Sequence, residues 1–196
     1  MTAKSKNQSI INIAIFASGN GSNAQKIIQY FRNSNRIKIK LIVCNNPIAG
    51  VLRIATKEMV PVLLIERNNF NLTGYVSELK SREIGFIVLA GFLWKVPPIL
   101  NNAFRNKIIN IHPALLPAFG GKGMYGNAVH AAVIAAREKQ TGITIHYVDD
   151  LYDHGKIIFQ KSCPVGENET IDSLAKKIHE LEHEHYAKQI EALLAK

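Results

Sequence analysis

Short apolar runs alternate with helix-like segments along most of this chain, and this alternation restricts its possible folds more than any other feature. Apolar runs bounded by turn residues predict strands, whereas apolar residues recurring every three or four positions predict amphipathic helices. Strands that alternate with helices typically form a parallel sheet with helices on both faces. The predicted strands cover 10–17, 38–44, 61–65, 85–90, 108–111, 144–148 and 156–163. The predicted helices cover 24–31, 50–59, 72–83, 99–104, 128–138 and 172–195.

The last two predicted strands have no helix between them, so they should extend the sheet in mixed orientation. No internal repeat, low-complexity tract or linker divides the chain, and its length suits one domain. We therefore expect an α/β fold with one Rossmann-like domain over residues 1–196. It should contain a mostly parallel twisted sheet, helices on both faces and mixed strands at the C-terminal end. Residues 1–9 are polar and are expected to be flexible.

The formal net charge of +9 suits either a nucleic-acid binder or a surface that attracts small anionic substrates. The lysines and arginines are spread along the chain without a dense basic run, which favours a phosphate- or carboxylate-bearing metabolite over nucleic acid. No stretch approaches the roughly 18 apolar residues of a membrane span, and no signal peptide is evident. We expect a cytoplasmic protein without a membrane partner. Cys44 and Cys163 lie far apart in apolar runs, which favours buried free thiols over a disulfide.

The segment 109–117, Ile-Asn-Ile-His-Pro-Ala-Leu-Leu-Pro, directly follows an apolar run. Asn110 and His112 are two residues apart, so both side chains should leave the same face of a strand. An amide donor beside an imidazole can stabilise an oxyanion and move a proton. A polar strand end with a satisfied core histidine is the competing interpretation.

The glycine-rich segment 18–23, Ser-Gly-Asn-Gly-Ser-Asn, follows the first strand and opens the first helix. Backbone N–H groups and the helix dipole can bind an anion at such a place. Ala24 replaces the last glycine of a dinucleotide fingerprint, and no acidic residue ends the second strand. A single phosphate is therefore favoured over a dinucleotide. The alternative is a tight turn in which Ser22 or Asn23 caps the helix. Asn69 or Asn71 is expected to cap the third helix.

Three carboxylates lie between the last two strands, at Asp149, Asp150 and Asp153. An ionised carboxylate close to His112 would favour the protonated imidazole. Asp153 is the preferred candidate, with Asp149 and Asp150 as rivals and a solvated turn as the alternative.

The segment His179-Glu180-Leu181-Glu182-His183 matches the H-E-x-x-H pattern of zinc hydrolases, in which two histidines hold the metal and the glutamate acts as base. Only thirteen residues follow, and no third ligand lies at an established spacing. An amphipathic C-terminal helix is favoured, and we expect no metal.

Taken in order, S-G-N-G-S-N, A-G-F-L-W, I-N-I-H-P-A-L-L-P and the Asp-x-Gly turn resemble the phosphoribosylglycinamide formyltransferases. The resemblance runs from about residue 11 to 186. It implies a single formyltransferase domain that uses 10-formyltetrahydrofolate as co-substrate and phosphoribosylglycinamide as acceptor, in de novo purine (IMP) biosynthesis. Such a domain should act as a monomer or homodimer.

The resemblance also assigns roles to residues of this chain. It places a catalytic trio at Asn110, His112 and Asp153, and a folate cleft that includes the loop 149–153. The folate-binding residues implied by the resemblance are Leu93, Trp94, Lys95, Val96, Asp149 and Asp150. The residues that it implies bind the phosphate and ribose of the other substrate are Gly21, Ser22, Asn23, His179 and Glu182.

Three departures from the family pattern stand out. In the family the folate-cleft segment is commonly Met-Arg-Ile-Leu, whereas residues 93–96 of this chain are Leu-Trp-Lys-Val. The family also has an arginine after the third strand, and Thr73 occupies that position here. The loop 118–126 is unusually rich in glycine, which suggests either a mobile lid from which Lys122 reaches an anion or a slack surface loop. Other formyl-group enzymes, such as methionyl-tRNA formyltransferases and formyltetrahydrofolate hydrolases, carry an additional domain. A non-catalytic nucleotide- or RNA-binding module is the remaining alternative.

Overall fold

The computed structural model describes residues 10–195, and these form seven strands and six helices that alternate except where the last two strands follow each other directly. The prediction for residues 1–9 lies outside the described residues. The strands are β1 (Ile11–Ala17), β2 (Ile37–Cys44), β3 (Val62–Leu64), β4 (Ile84–Leu89), β5 (Ile108–His112), β6 (Gln140–Tyr147) and β7 (Ile157–Pro164). The helices are α1 (Ser22–Phe31), α2 (Gly50–Lys57), α3 (Thr73–Ser81), α4 (Pro98–Ala103), α5 (Asn127–Ala135) and α6 (Ile171–Leu194).

The strands form one sheet in the order β3-β2-β1-β4-β5-β6-β7. Strands β1 to β5 are parallel, and β6 pairs antiparallel with both β5 and β7. The predicted mixed sheet is therefore confirmed. Strand order reverses between β1 and β4, and ligands of such sheets bind in the crevice at the carboxyl ends of the strands beside this point.

Alternate residues of each central strand enter different apolar layers, because successive side chains leave opposite faces. In β1, Ile13 and Ile15 pack toward α1, α2, α5 and α6, while Ala14 and Phe16 pack toward α3 and α4. Helices thus cover both faces, as predicted.

The structure corrects two predicted helix caps. Leu72 occupies the N-cap of α3 without a side-chain hydrogen bond, and Asn69 instead accepts the Leu72 N–H through its backbone carbonyl. At α1 the N-cap is Gly21 in a left-handed conformation, again without a side-chain cap, so neither Ser22 nor Asn23 plays that role.

Strand β6 begins four residues earlier than predicted, at Gln140. Gly142 lies in the part of the strand that was not predicted. A Cβ at this position would overlap the Lys161 carbonyl of β7, so the close approach of the two strands requires glycine.

Both cysteines are free thiols, Cys44 fully buried and Cys163 partly exposed. Within residues 10–195, no helix combines the length and apolar character needed to cross a membrane.

Candidate active site

A cleft of about 830 Å³ opens at the carboxyl edge of β1, β4 and β5. Its walls are completed by the loops after β1 and β4, the turn between β6 and β7, the glycine-rich loop 118–126, and α6. Asp150 lies outside the lining, where its carboxylate accepts a 2.8 Å hydrogen bond from Asn101 Nδ2. All other predicted site residues line the cleft: Gly21, Ser22, Asn23, Leu93, Trp94, Lys95, Val96, Asn110, His112, Asp149, Asp153, His179 and Glu182.

Asn110 is held in place by a histidine from the neighbouring strand. His146 on β6 is the cross-strand partner of Asn110, and its Nε2 lies 3.2 Å from Asn110 Nδ2. His146 Nδ1 lies 2.8 Å from the Tyr147 carbonyl, so Nδ1 carries the proton and Nε2 accepts from the amide. Burial lowers the pKa of His146, which keeps the ring neutral. One N–H of the Asn110 amide is thereby occupied, and the other remains for a ligand.

His112 is almost fully buried at the end of β5 and lies between two oxygen acceptors. Its Nε2 donates to the Phe119 carbonyl over 2.8 Å, and its Nδ1 lies 3.5 Å from Asp153 Oδ2. An imidazole with an acceptor on each side has a place for a proton on both nitrogens. The glycine-rich loop that contains Phe119 therefore helps to orient this ring.

Asp153 is the carboxylate that the fold brings to His112. It adopts a left-handed backbone conformation with φ of 51°, which is uncommon for a residue with a side chain. The Gly121 N–H donates to its Oδ2 over 3.0 Å, and His146 Nε2 lies 3.7 Å from its Oδ1. The β6–β7 turn and the glycine-rich loop thus meet at this carboxylate.

Asp149 has a different partner, since its Oδ2 lies 2.8 Å from His154 Nδ1. Burial opposes ionisation of Asp149, but hydrogen bonds from His154 and the Leu151 N–H outweigh it and lower the pKa of the carboxyl.

The glycine-rich turn after β1 depends on contact with α2. Gly21 has φ of 79°, and a Cβ there would lie 2.7 Å from Val51 Cβ, so only glycine fits. The turn opens α1, and the free N–H groups of its first turn can bind an anion.

Glu182 adjoins this turn although it comes from α6. Asn23 Nδ2 donates to Glu182 Oε2 over 2.8 Å, and only 6% of Glu182 is exposed. Burial raises the pKa of Glu182 to about 7, with the Asn23 hydrogen bond acting in the opposite direction. His179 lies one helical turn earlier and also lines the cleft. This end of the cleft combines an anion-binding turn with a carboxyl group that can accept hydrogen bonds from hydroxyls.

The opposite end of the cleft is aromatic and basic. The loop after β4 places Trp94 in contact with Phe70 and Phe92, with ring centroids 5.9 and 6.4 Å away. The Arg67 guanidinium lies 5.2 Å from the Trp94 ring centroid, and Lys95 Nζ lies 5.7 Å from that of Tyr152. Thr73 begins α3, and neither Thr73 nor Arg67 lines the cleft itself, although Arg67 lies over the Trp94 ring.

The H-E-x-x-H segment forms no metal site among residues 10–195. The rings of His179 and His183 stack nearly parallel with centroids 6.3 Å apart, and Glu180 is exposed to solvent.

The sequence analysis did not identify two residues of β6 that support the site. Besides His146, the buried Thr144 accepts a 3.0 Å hydrogen bond from the Leu116 N–H and donates to the Ala114 carbonyl over 2.7 Å. Thr144 therefore fixes the loop that follows His112. The sequence signal that could have identified them is a threonine and a histidine two positions apart, each beside apolar residues, so that both side chains leave the same face of the strand.

A formyl transferase family model matches residues 11–190. The phosphoribosylglycinamide formyltransferase of Bacillus subtilis is 38% identical over 187 residues, which cover 92% of this chain and 93% of the relative. The chloroplastic phosphoribosylglycinamide formyltransferase of Vigna unguiculata is 39% identical over 187 residues, and here the chain spans 60% of the relative.

The crystal structure of glycinamide ribonucleotide transformylase 1 from Geobacillus kaustophilus superposes with a TM-score of 0.86 at 36% identity. It matches 94% of this chain and 99% of its own. The chain described here therefore belongs to the formyl transferase family.

Proposed function

We propose that this chain transfers a formyl group from 10-formyltetrahydrofolate to the amine of 5'-phosphoribosylglycinamide, a step of de novo purine (IMP) biosynthesis. The observation that carries the proposal is the meeting of Asn110, His112 and Asp153 in one cleft that has two unlike ends. One end offers an anion-binding turn with Glu182 and suits a phosphoribosyl group. The aromatic, basic end suits a folate with its carboxylates. The names of the relatives support transfer of a formyl group with phosphoribosylglycinamide as the acceptor.

The first step is attack of the substrate amine on the formyl carbon, which forms a carbon–nitrogen bond and leaves an oxyanion. Asn110 donates its second N–H to this oxyanion, because His146 already occupies the first. The neutral His146 thus presets the direction of the amide before the substrates arrive.

His112 completes the reaction by donating a proton to the folate nitrogen as the carbon–nitrogen bond to the folate breaks. Since the Phe119 carbonyl holds Nε2, the proton that moves is the one on Nδ1, beside Asp153. Asp153 stabilises the charged ring and accepts the proton released by the amine, directly or through water. The nucleophile belongs to the substrate, so the sequence of steps needs no covalent enzyme intermediate.

The test is steady-state formyl transfer from 10-formyltetrahydrofolate to phosphoribosylglycinamide, followed by absorbance. Asn110→Ala and His112→Ala should each lower kcat by ~10²–10³, since the first removes the donor to the oxyanion and the second removes the proton donor to the leaving folate nitrogen. His185→Ala is the matched control, because this histidine packs against Phe159 and does not line the cleft.

Near-normal turnover by either active-site variant would refute the assignment. Consumption of formyl-folate without phosphoribosylglycinamide would indicate a hydrolase. Salt-sensitive binding of polynucleotide with no turnover would indicate a binding module.

A further inference from the structure

His130 is a buried histidine that lines the cleft and has no role in the steps above. It lies on α5, whose buried residues are Val129, His130 and Val133. The two valines belong to the apolar core, whereas His130 faces the cleft and is only 2% exposed. The helix therefore places one polar side chain at the cleft wall.

The His130 ring lacks the partner that a buried polar group normally has. Its Nδ1 makes no hydrogen bond with any of the described residues. Buried nitrogens without partners are costly and uncommon, and they often mark a place where a ligand completes the network. The cleft is the space beside this ring, so a bound molecule is the candidate partner.

The position of the ring indicates which part of a bound molecule it meets. His130 lies close enough to His112 and to His179 for both to influence its ionisation. These two residues belong to the reaction centre and to the phosphate end, respectively. All three histidines line the same cleft, so we expect the middle section of a substrate that joins these two ends to lie beside His130.

The chemistry of the ring matches a neutral partner. Burial, with smaller effects from His179 and His112, lowers the pKa of His130, so the ring is uncharged near neutral pH. An uncharged imidazole offers one donor and one acceptor, which suits a hydroxyl or an amide better than a phosphate dianion.

We propose that His130 is a substrate-binding residue that hydrogen-bonds the ribose or glycinamide section of phosphoribosylglycinamide. This inference rests on the proposed function, because it takes that substrate as the ligand. It assigns to α5 a part in positioning the amine for attack.

Three variants of His130 test the inference. His130→Leu removes both nitrogens, His130→Asn keeps a polar group near Nδ1, and His130→Gln keeps one near Nε2. His185→Asn is the control, because it also removes a buried imidazole nitrogen that makes no hydrogen bond with the described residues, but it lies outside the cleft lining.

Calorimetry should show that His130→Leu weakens binding of phosphoribosylglycinamide about tenfold, the usual effect of losing one hydrogen bond. At least one amide variant should restore the affinity, and the KM for 10-formyltetrahydrofolate should not change. Unaltered affinity in His130→Leu would overturn the inference. Equal weakening of both substrates together with a lower Tm would also overturn it, since that pattern indicates a structural role.

A second measurement does not depend on the folding of any variant. The imidazole nitrogen chemical shifts of His130 in the wild-type protein should change when phosphoribosylglycinamide is added, and unchanged shifts in the presence of bound substrate would refute the contact. If the wild-type protein neither binds nor formylates phosphoribosylglycinamide, the proposed function fails and this inference falls with it. If the wild-type protein does both, a negative result at His130 removes this inference alone.

Discussion

The direction of the Asn110 amide is the residue-level feature on which the proposed chemistry depends most. Asparagine alone cannot specify whether its oxygen or its nitrogen faces the cleft. Here the choice follows from a chain of hydrogen bonds, in which the Tyr147 carbonyl fixes the His146 tautomer and His146 fixes the amide. The backbone of β6 thereby determines that Asn110 on β5 presents an N–H donor to the cleft.

Replacing His146 should show how much of the reaction rate depends on the orientation of the Asn110 amide. We expect His146→Leu to lower kcat about tenfold, because the loss of one net hydrogen bond frees the amide to rotate. His146→Gln should retain most activity, since its side-chain oxygen can accept the same N–H. Stopped-flow or steady-state kinetics of both variants provide the measurement, and equal activity in the two would contradict this role.

Glu182 should make the stability of the protein depend on pH. Its pKa rises from 4.5 in the unfolded chain to about 7 in the fold, so the native state binds more protons between these values. Stability should therefore fall as pH increases from 4.5 to 7 and stay reduced above 7. Glu182→Gln should remove this loss, with a gain on the order of 3 kcal/mol at pH 8 and little change at pH 4.

Urea unfolding of wild-type protein and Glu182→Gln at the two pH values measures the effect. Glu180→Gln on the exposed face of the same helix is the control. A gain that is the same at both pH values would show that burial of the charge is not its cause.

At the scale of elements, the cleft is built from loops that other elements hold in place. Asn101 on α4 donates its Nδ2 to the Asp149 carbonyl over 2.9 Å and to the Asp150 carboxylate. The Asp150 side chain, expected from sequence to face the folate, instead helps to attach the β6–β7 turn to this short helix.

Asn101→Leu should loosen that turn at the folate end. We expect the KM for 10-formyltetrahydrofolate to rise several-fold with a smaller effect on the KM for phosphoribosylglycinamide, because the turn lines only one part of the cleft. Asn102→Leu is the neighbouring control, since Asn102 is exposed and bonds only Arg105 among the described residues. Initial-rate kinetics with each substrate varied in turn would reveal equal changes in both KM values, which would disprove the localised role.

The elements were predictable because they follow from local patterns, and every strand and helix matches a predicted segment within a few residues. The residues after strands β1, β4 and β5 were also predictable as site residues, since parallel strands end at one edge. His146, Thr144 and His130 were not, because their roles depend on strand pairing and helix packing between distant segments. The need for glycine at position 142 was not predictable either, because it follows from the close approach of β7.

At the scale of the whole molecule, α6 packs against the central strands of the sheet and so attaches the C-terminal part of the chain to them. Its fully buried Tyr186 donates from the hydroxyl to the Leu89 carbonyl at the end of β4, over 2.8 Å. The same helix carries Glu182 to the anion-binding turn, so the packing of α6 and the integrity of the site are linked.

Tyr186→Phe should therefore lower the free energy of unfolding by about 1–3 kcal/mol, because a buried carbonyl loses its partner. Tyr30→Phe removes a hydroxyl that bonds Glu191 at the surface and should have little effect. Chemical denaturation measures both variants. Equal losses would mean that the Tyr186 bond to the sheet adds nothing beyond an ordinary surface contact.

The order of the strands also has a consequence for synthesis on the ribosome. The first strand made, β1, lies inside the sheet and can pair with β2 and β4 early, but the cleft wall extends from Gly19 to Glu182. A nascent chain therefore contains the turn at 18–23 long before it contains His179 and Glu182 on the other side of the cleft. A ligand of the complete cleft can stabilise the folded protein, but it cannot guide the earlier stages of folding.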